Sequence, residues 1–187
     1  MIKEVAFGIS NRHHFMTEED TLRWKGTTDT YASLYNYDDY VIEYHKEKKT
    51  LAGFDGKIYM PKEFFFDVDG DSTERARQLT IGLCEFLKEY DINYRIYFSG
   101  TGFHVGINQG VFKWEPSKDL HLKVKDCLMS NGIFEYSDNS VIDKTRIIRL
   151  TNTRNSKSGL FKIPITEQEL HSDAETIKEL AKRTRLP

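Results

Sequence analysis

The chain has 187 residues, 39% of them hydrophobic and 13% aromatic, which is enough for a real core and suits one domain or two small packed lobes. A formal net charge of -2 excludes a uniformly basic nucleic-acid coat, but not a local basic groove whose charge nearby acids offset. The two cysteines, Cys84 and Cys127, form no C-x-x-C pair, so no disulfide framework and no structural zinc is expected. With no long apolar run, the expectation is a cytoplasmic protein without a membrane partner.

Residues 1 to about 62 are tyrosine-rich and mixed in charge, and their lack of a clean period predicts a short helix or two among irregular segments. Phe64-Phe65-Phe66-Asp67-Val68-Asp69 is short, aromatic and strand-like, and Gly70 ends it. Asp71 or Ser72 can cap the next helix, with Glu74 completing a capping box from Asp71. Ala76, Leu79, Leu83, Phe86, Leu87 and Tyr90 recur at helical spacing along it. Strands follow at 94–98 and 103–107, joined by the turn Ser99-Gly100-Thr101-Gly102. A second helix fits 117–129, and two strands fit 146–151 and 160–165 around the polar loop 152–159. Thr166, with Glu169 three residues on, caps a last helix running to about Arg183. The order predicts an α+β or α/β domain with a mixed sheet, undivided by any linker.

Three clusters carry chemistry. Asp67 and Asp69 alternate around Val68, so on a strand both carboxylates share a face, where a hard divalent cation would relieve their repulsion. A polar turn at a strand end reads equally well from these residues alone. In Ser99-Gly100-Thr101-Gly102-Phe103-His104, two glycines let backbone N–H groups approach an anion, although an ordinary hairpin has the same composition. Asp143 is a third acid, after the apolar pair Val141-Ile142. From Lys144 through Lys162 every charged residue is basic, as in a phosphate-binding surface or a protected strand edge.

An Asp-x-Asp strand, a glycine-rich turn ending in His, and a later apolar-Asp before an Arg-Leu strand, in this order over about half the chain, resemble the archaeo-eukaryotic primase superfamily. Arg149-Leu150-Thr151-Asn152-Thr153-Arg154-Asn155-Ser156-Lys157 is similar to the Arg…Asn-x-Lys segment of its phage- and plasmid-type primase-polymerases. The resemblance implies an N-terminal α/β module packed with an RRM-like mixed sheet. That would make one catalytic domain over 1–187, with a less defined part at 1–62, a motif-bearing core at 63–165 and a C-terminal helix at 166–187. It implies Asp67, Asp69 and Asp143 as metal ligands for two Mg²⁺ or Mn²⁺ ions, and Ser99, Thr101, Gly102, His104, Arg149, Asn155 and Lys157 as nucleotide-binding residues. The activity implied is DNA primase or polymerase, using nucleoside triphosphates with a single-stranded DNA template and primer in replication. Without a zinc insertion, a helicase or accessory replication domain would supply template binding. The same acids also suit a metal-dependent nuclease, and an RRM-like sheet suits a non-catalytic single-strand binding module.

Overall fold

The computed structural model describes residues 1–185, apart from the side chains of Val141 and Ile142. The side chains of the apolar pair expected before Asp143 and the last two residues of the expected 166–187 segment therefore lie outside the described residues, and the last described helix ends at Leu180, short of the expected Arg183. The N-terminal part departs most from the sequence reading. It forms β1 (Ile2–Phe7), β2 (His14–Thr17), α1 (Glu18–Leu22), β3 (Thr30–Ser33), β4 (Asn36–Tyr37), α2 (Tyr40–Lys48) and β5 (Ile58–Tyr59). These strands were expected as irregular structure because they are short and covered on both faces. β3 is buried throughout and β1 buries Lys3, Glu4, Val5 and Ala6 in succession, so no polar-apolar alternation appears.

The two buried charged groups of β1, Lys3 and Glu4, are satisfied internally, as burial requires. Lys3 donates to the carbonyls of Ser33 and Leu34, both at 2.8 Å. Glu4 accepts two bonds from Arg12, at 3.0 and 2.7 Å, and one from the His13 N–H at 3.2 Å.

The second sheet follows the sequence more closely. It is built from β6 (Glu63–Val68), β7 (Tyr94–Phe98), β8 (Phe103–Asn108) and, late in the chain, β10 (Ile163–Ile165), in the order β10-β7-β8-β6. Phe64, Phe66 and Val68 pair with Ile107, Val105 and Phe103, and all six are in the core. α3 (Thr73–Glu89) packs on β6 and β8 through Ala76, Leu83 and Leu87, the predicted apolar stripe. Its cap is Ser72, whose side chain accepts from the Arg75 N–H. The expected box from Asp71 does not form, and Glu74 pairs with Arg77 at 2.6 Å.

α4 (Leu120–Ser130) starts three residues later than expected. β9 (Ile147–Arg149) is half the expected length and leaves the second sheet altogether. It pairs with β3, giving the first sheet the order β5-β4-β1-β3-β9 with β2 beside β1. The C-terminal helix is divided into α5 (Glu167–Leu170) and α6 (Ala174–Leu180), because Asp173 caps a fresh start by accepting from the Thr176 N–H at 2.9 Å. The Thr166–Glu169 capping box is present as read. The class is α+β, and every described strand pairing is antiparallel rather than mixed. No helix among the described residues is long and apolar enough to cross a membrane.

Candidate metal centre

Strand alternation gives the second sheet two unlike faces. Phe64, Phe66 and Val68 enter the core, so Phe65, Asp67 and Asp69 project the other way, towards the first sheet. His104 lies opposite Asp67 on β8, and Tyr97 lies opposite His104 on β7. Asp67 is 6% exposed, and its carboxylate touches the Arg146 guanidinium and, at 3.3 Å, Nε2 of His104.

A third acid comes to this pair from the turn after α4. The Asp138 N–H donates to the Asp67 carbonyl at 2.7 Å, which fastens that turn to the end of β6. Ser140 then orients the Asp138 carboxylate, with its N–H on Oδ1 at 2.9 Å and its hydroxyl on Oδ2 at 2.6 Å. Asp67, Asp69 and Asp138 each place a carboxylate oxygen within 4.8 Å of the others. Arg146 also reaches Asp138, at 3.5 Å, so one guanidinium spans two of the three acids.

Asp143, the acid expected in this place, does not join the cluster. It is exposed and closes the turn Asn139–Ile142, with Oδ1 accepting the Thr145 N–H at 2.8 Å and hydroxyl at 2.9 Å. The third acid is Asp138.

The charges are unequal in ease of ionisation. Burial works against the Asp67 carboxylate, but His104 and Arg146 outweigh it and hold its pKa down to about 2. Burial, reinforced by the Lys162 ammonium, brings His104 down to about 4, so its ring is neutral at neutral pH and Arg146 is then the cation on Asp67. Asp69 behaves oppositely. Burial and the charges of Asp67 and Asp138 push it up to about 6, against a weaker pull from Arg146 and Lys157. A carboxyl so raised lacks positive charge, and the hard oxygen donors around it fit a divalent cation.

The glycine turn lies directly against the acids. A Cβ on Gly102 would stand 2.4 Å from Oδ1 of Asp69 and 2.6 Å from the Val68 carbonyl, so only glycine admits the carboxylate there. Gly100 has φ +102, and a Cβ on it would meet Cβ of Asn155 at 2.7 Å. Ser99 is buried and closes the turn, accepting the Gly102 N–H on its hydroxyl at 3.2 Å. Thr101 is exposed, and neither its N–H nor that of Gly100 finds an acceptor among the described residues.

Asn155 joins the basic loop to this turn. It is buried, donates to the Ser99 carbonyl at 3.4 Å, and accepts the Lys157 N–H at 2.9 Å. The exposed Lys157 is thereby carried close enough to influence Asp69. Arg149 is held by Asp29, the Tyr31 hydroxyl and the Arg154 carbonyl. His104 is buried behind Asp67, not at the mouth of the turn, and its Nδ1 has no partner. Tyr31 and Tyr35 are core residues.

Two members of the site, Asp138 and Arg146, were not singled out from the sequence. Arg146 was visible only as one of a basic run, and the signal for Asp138 was the cap pattern Asp138-Asn139-Ser140 before a turn.

No protein-family model and no curated protein matches the chain. Among solved structures, it is similar to the polymerase domain of Ligase D from Mycobacterium tuberculosis, in complex with DNA. The TM-score is 0.49 and the identity 11%, over 82% of this chain. The chain spans 60% of that structure.

Proposed function

We propose that this chain is a template-directed nucleotidyltransferase, a DNA primase or polymerase acting in replication, with Asp67, Asp69 and Asp138 as its metal-binding acids. The observation that carries the reading is the convergence of these three carboxylates beside a glycine turn with two free N–H donors. Two Mg²⁺ or Mn²⁺ ions held by the acids would activate a 3′-hydroxyl and neutralise charge developing at the α-phosphorus as pyrophosphate leaves.

The protein's own groups divide the remaining work. The Gly100 and Thr101 N–H groups and the Lys157 ammonium receive the phosphates of a nucleoside triphosphate. Asn155 fixes the distance between turn and loop, and Arg149 anchors the strand from which the loop departs. His104, neutral and buried, orients Asp67. Arg146 holds Asp67 and Asp138 together and neutralises part of their charge before substrate arrives. Single-stranded DNA template and primer would supply base selection, with a helicase or accessory domain as the further partner. The 187 residues act as one catalytic unit, a reading supported by β9, which leaves the motif-bearing core to complete the first sheet beside β3.

The test is primer extension with labelled nucleotides, single-stranded template and Mn²⁺. Asp138→Asn is expected to reduce incorporation by roughly a thousandfold, the scale for losing a group that stabilises developing charge. Asp143→Asn is expected to extend normally. Normal extension by Asp138→Asn overturns the assignment, and strands that shorten rather than lengthen assign the same acids to hydrolysis.

A further inference from the structure

Asp67 and Asp69 occupy only one end of the inward face of β6. The other end, Glu63 and Phe65, lines a separate cleft of about 800 Å³ between the two sheets, within the range of small-molecule sites. None of Asp67, Asp69, His104 and Asp138 lines it. The cleft walls carry seven lysine and arginine side chains; Lys62, Arg95 and Arg149 pair with Glu19, Glu63 and Asp29, which leaves Lys3, Arg23, Lys25 and Lys162 without an ion-pair partner among the described residues, positive charge that attracts anions.

Two of these cations, Lys3 from β1 and Lys162 from before β10, are 6% and 1% exposed. Neither has a carboxylate within ion-pair distance among the described residues. Lys3 has two backbone carbonyls, and Lys162 has the Arg149 carbonyl at 2.8 Å and the faces of Phe65 and Tyr97 at 4.2 and 5.0 Å. An ammonium desolvated in this way is costly unless an anion completes its shell, and burial brings both groups down to about 7. Trp24, half-buried, adds planar apolar surface to these walls, next to the Phe65 and Tyr97 rings that already face Lys162. Exposed Arg23 and Lys25 flank Trp24 at the rim.

We propose that this cleft is a second binding site, taking a free nucleoside phosphate without a metal ion: the base lies against the aromatic walls and the phosphate meets the lysines. A simple inorganic anion would leave the rings unused, and an apolar ligand would leave the ammonium groups unpaired. A terminal nucleotide of a strand has the same chemistry as a free one, so the test separates them.

The experiment is calorimetric titration of the full chain with ATP in EDTA, which needs no catalysis and so is read separately from nucleotidyl transfer. Wild type is expected to bind, and Arg23→Ala/Lys25→Ala, whose side chains are exposed and support no core packing, to bind at least tenfold more weakly. Lys3→Met is expected to lose binding, and the rim variant decides the matter if Lys3→Met does not fold. Lys157→Ala probes the side of the acids, and the rim variant is expected to weaken metal-free ATP binding more than Lys157→Ala does. Absence of binding in EDTA overturns the proposal. So does weakening by Lys157→Ala with no effect of the rim variant, and so does a 5′-phosphorylated tetranucleotide that displaces ATP at lower concentration than AMP does.

Discussion

Replacing Lys162 with Met keeps an unbranched side chain, one heavy atom shorter, and removes its charge. The ammonium is 1% exposed and has one carbonyl and two ring faces around it, so burial brings its pKa from 10.5 to about 7, against weaker opposition from Glu63 and Asp67. Between those values the unfolded chain holds a proton that the folded protein lacks. Stability attributable to this residue therefore rises with pH across that window. From pH 7 to pH 9 the rise integrates to about 2 kcal/mol. Lys3 contributes a similar slope, and burial of Cys84 an opposite one at higher pH, but both cancel when wild type and Lys162→Met are compared at the same pH. Urea unfolding followed by fluorescence at pH 7 and pH 9 gives the difference. Wild type is expected to gain about 2 kcal/mol on the variant between the two. A difference that stays constant with pH refutes the desolvated-lysine argument.

Gly100→Ala is expected to cost about 2 kcal/mol, from a side chain at φ +102 that also meets Cβ of Asn155; an unchanged melting temperature contradicts it. Arg12→Met leaves the fully buried Glu4 without its cation and is expected to cost about 3–5 kcal/mol. Much of that loss should return in the double variant with Glu4→Gln, and chemical denaturation of the three proteins checks both statements. Mg²⁺ in hundredfold excess over its dissociation constant should stabilise wild type by about 2.7 kcal/mol. Asp69→Asn and Asp138→Asn should show much less, and an equal thermal shift in either removes that acid from the metal centre.

The sequence determined what depends on neighbours along the chain. The period of α3, the strands at Tyr94–Phe98 and around His104, and the Thr166–Glu169 cap were all legible, because side-chain spacing and capping chemistry are local. So was the pairing of Asp67 with Asp69 on one strand face, which follows from a period of two.

Tertiary structure decided the rest. The first sheet was not legible because its strands are short and doubly buried, so their pattern reflects partners far away in sequence. β9 could be read as a strand, but its choice of β3 over the second sheet is a long-range pairing. Asp138 and Asp143 are both acids near one turn, and the resemblance pointed to the one preceded by Val141-Ile142. A single backbone bond from Asp138 to the Asp67 carbonyl, and the turn that Ser140 closes, send one carboxylate to the acidic cluster and the other to solvent. Local propensity fixes each segment's form, whereas which acids converge depends on contacts across the chain, and the spacing of residues does not encode those.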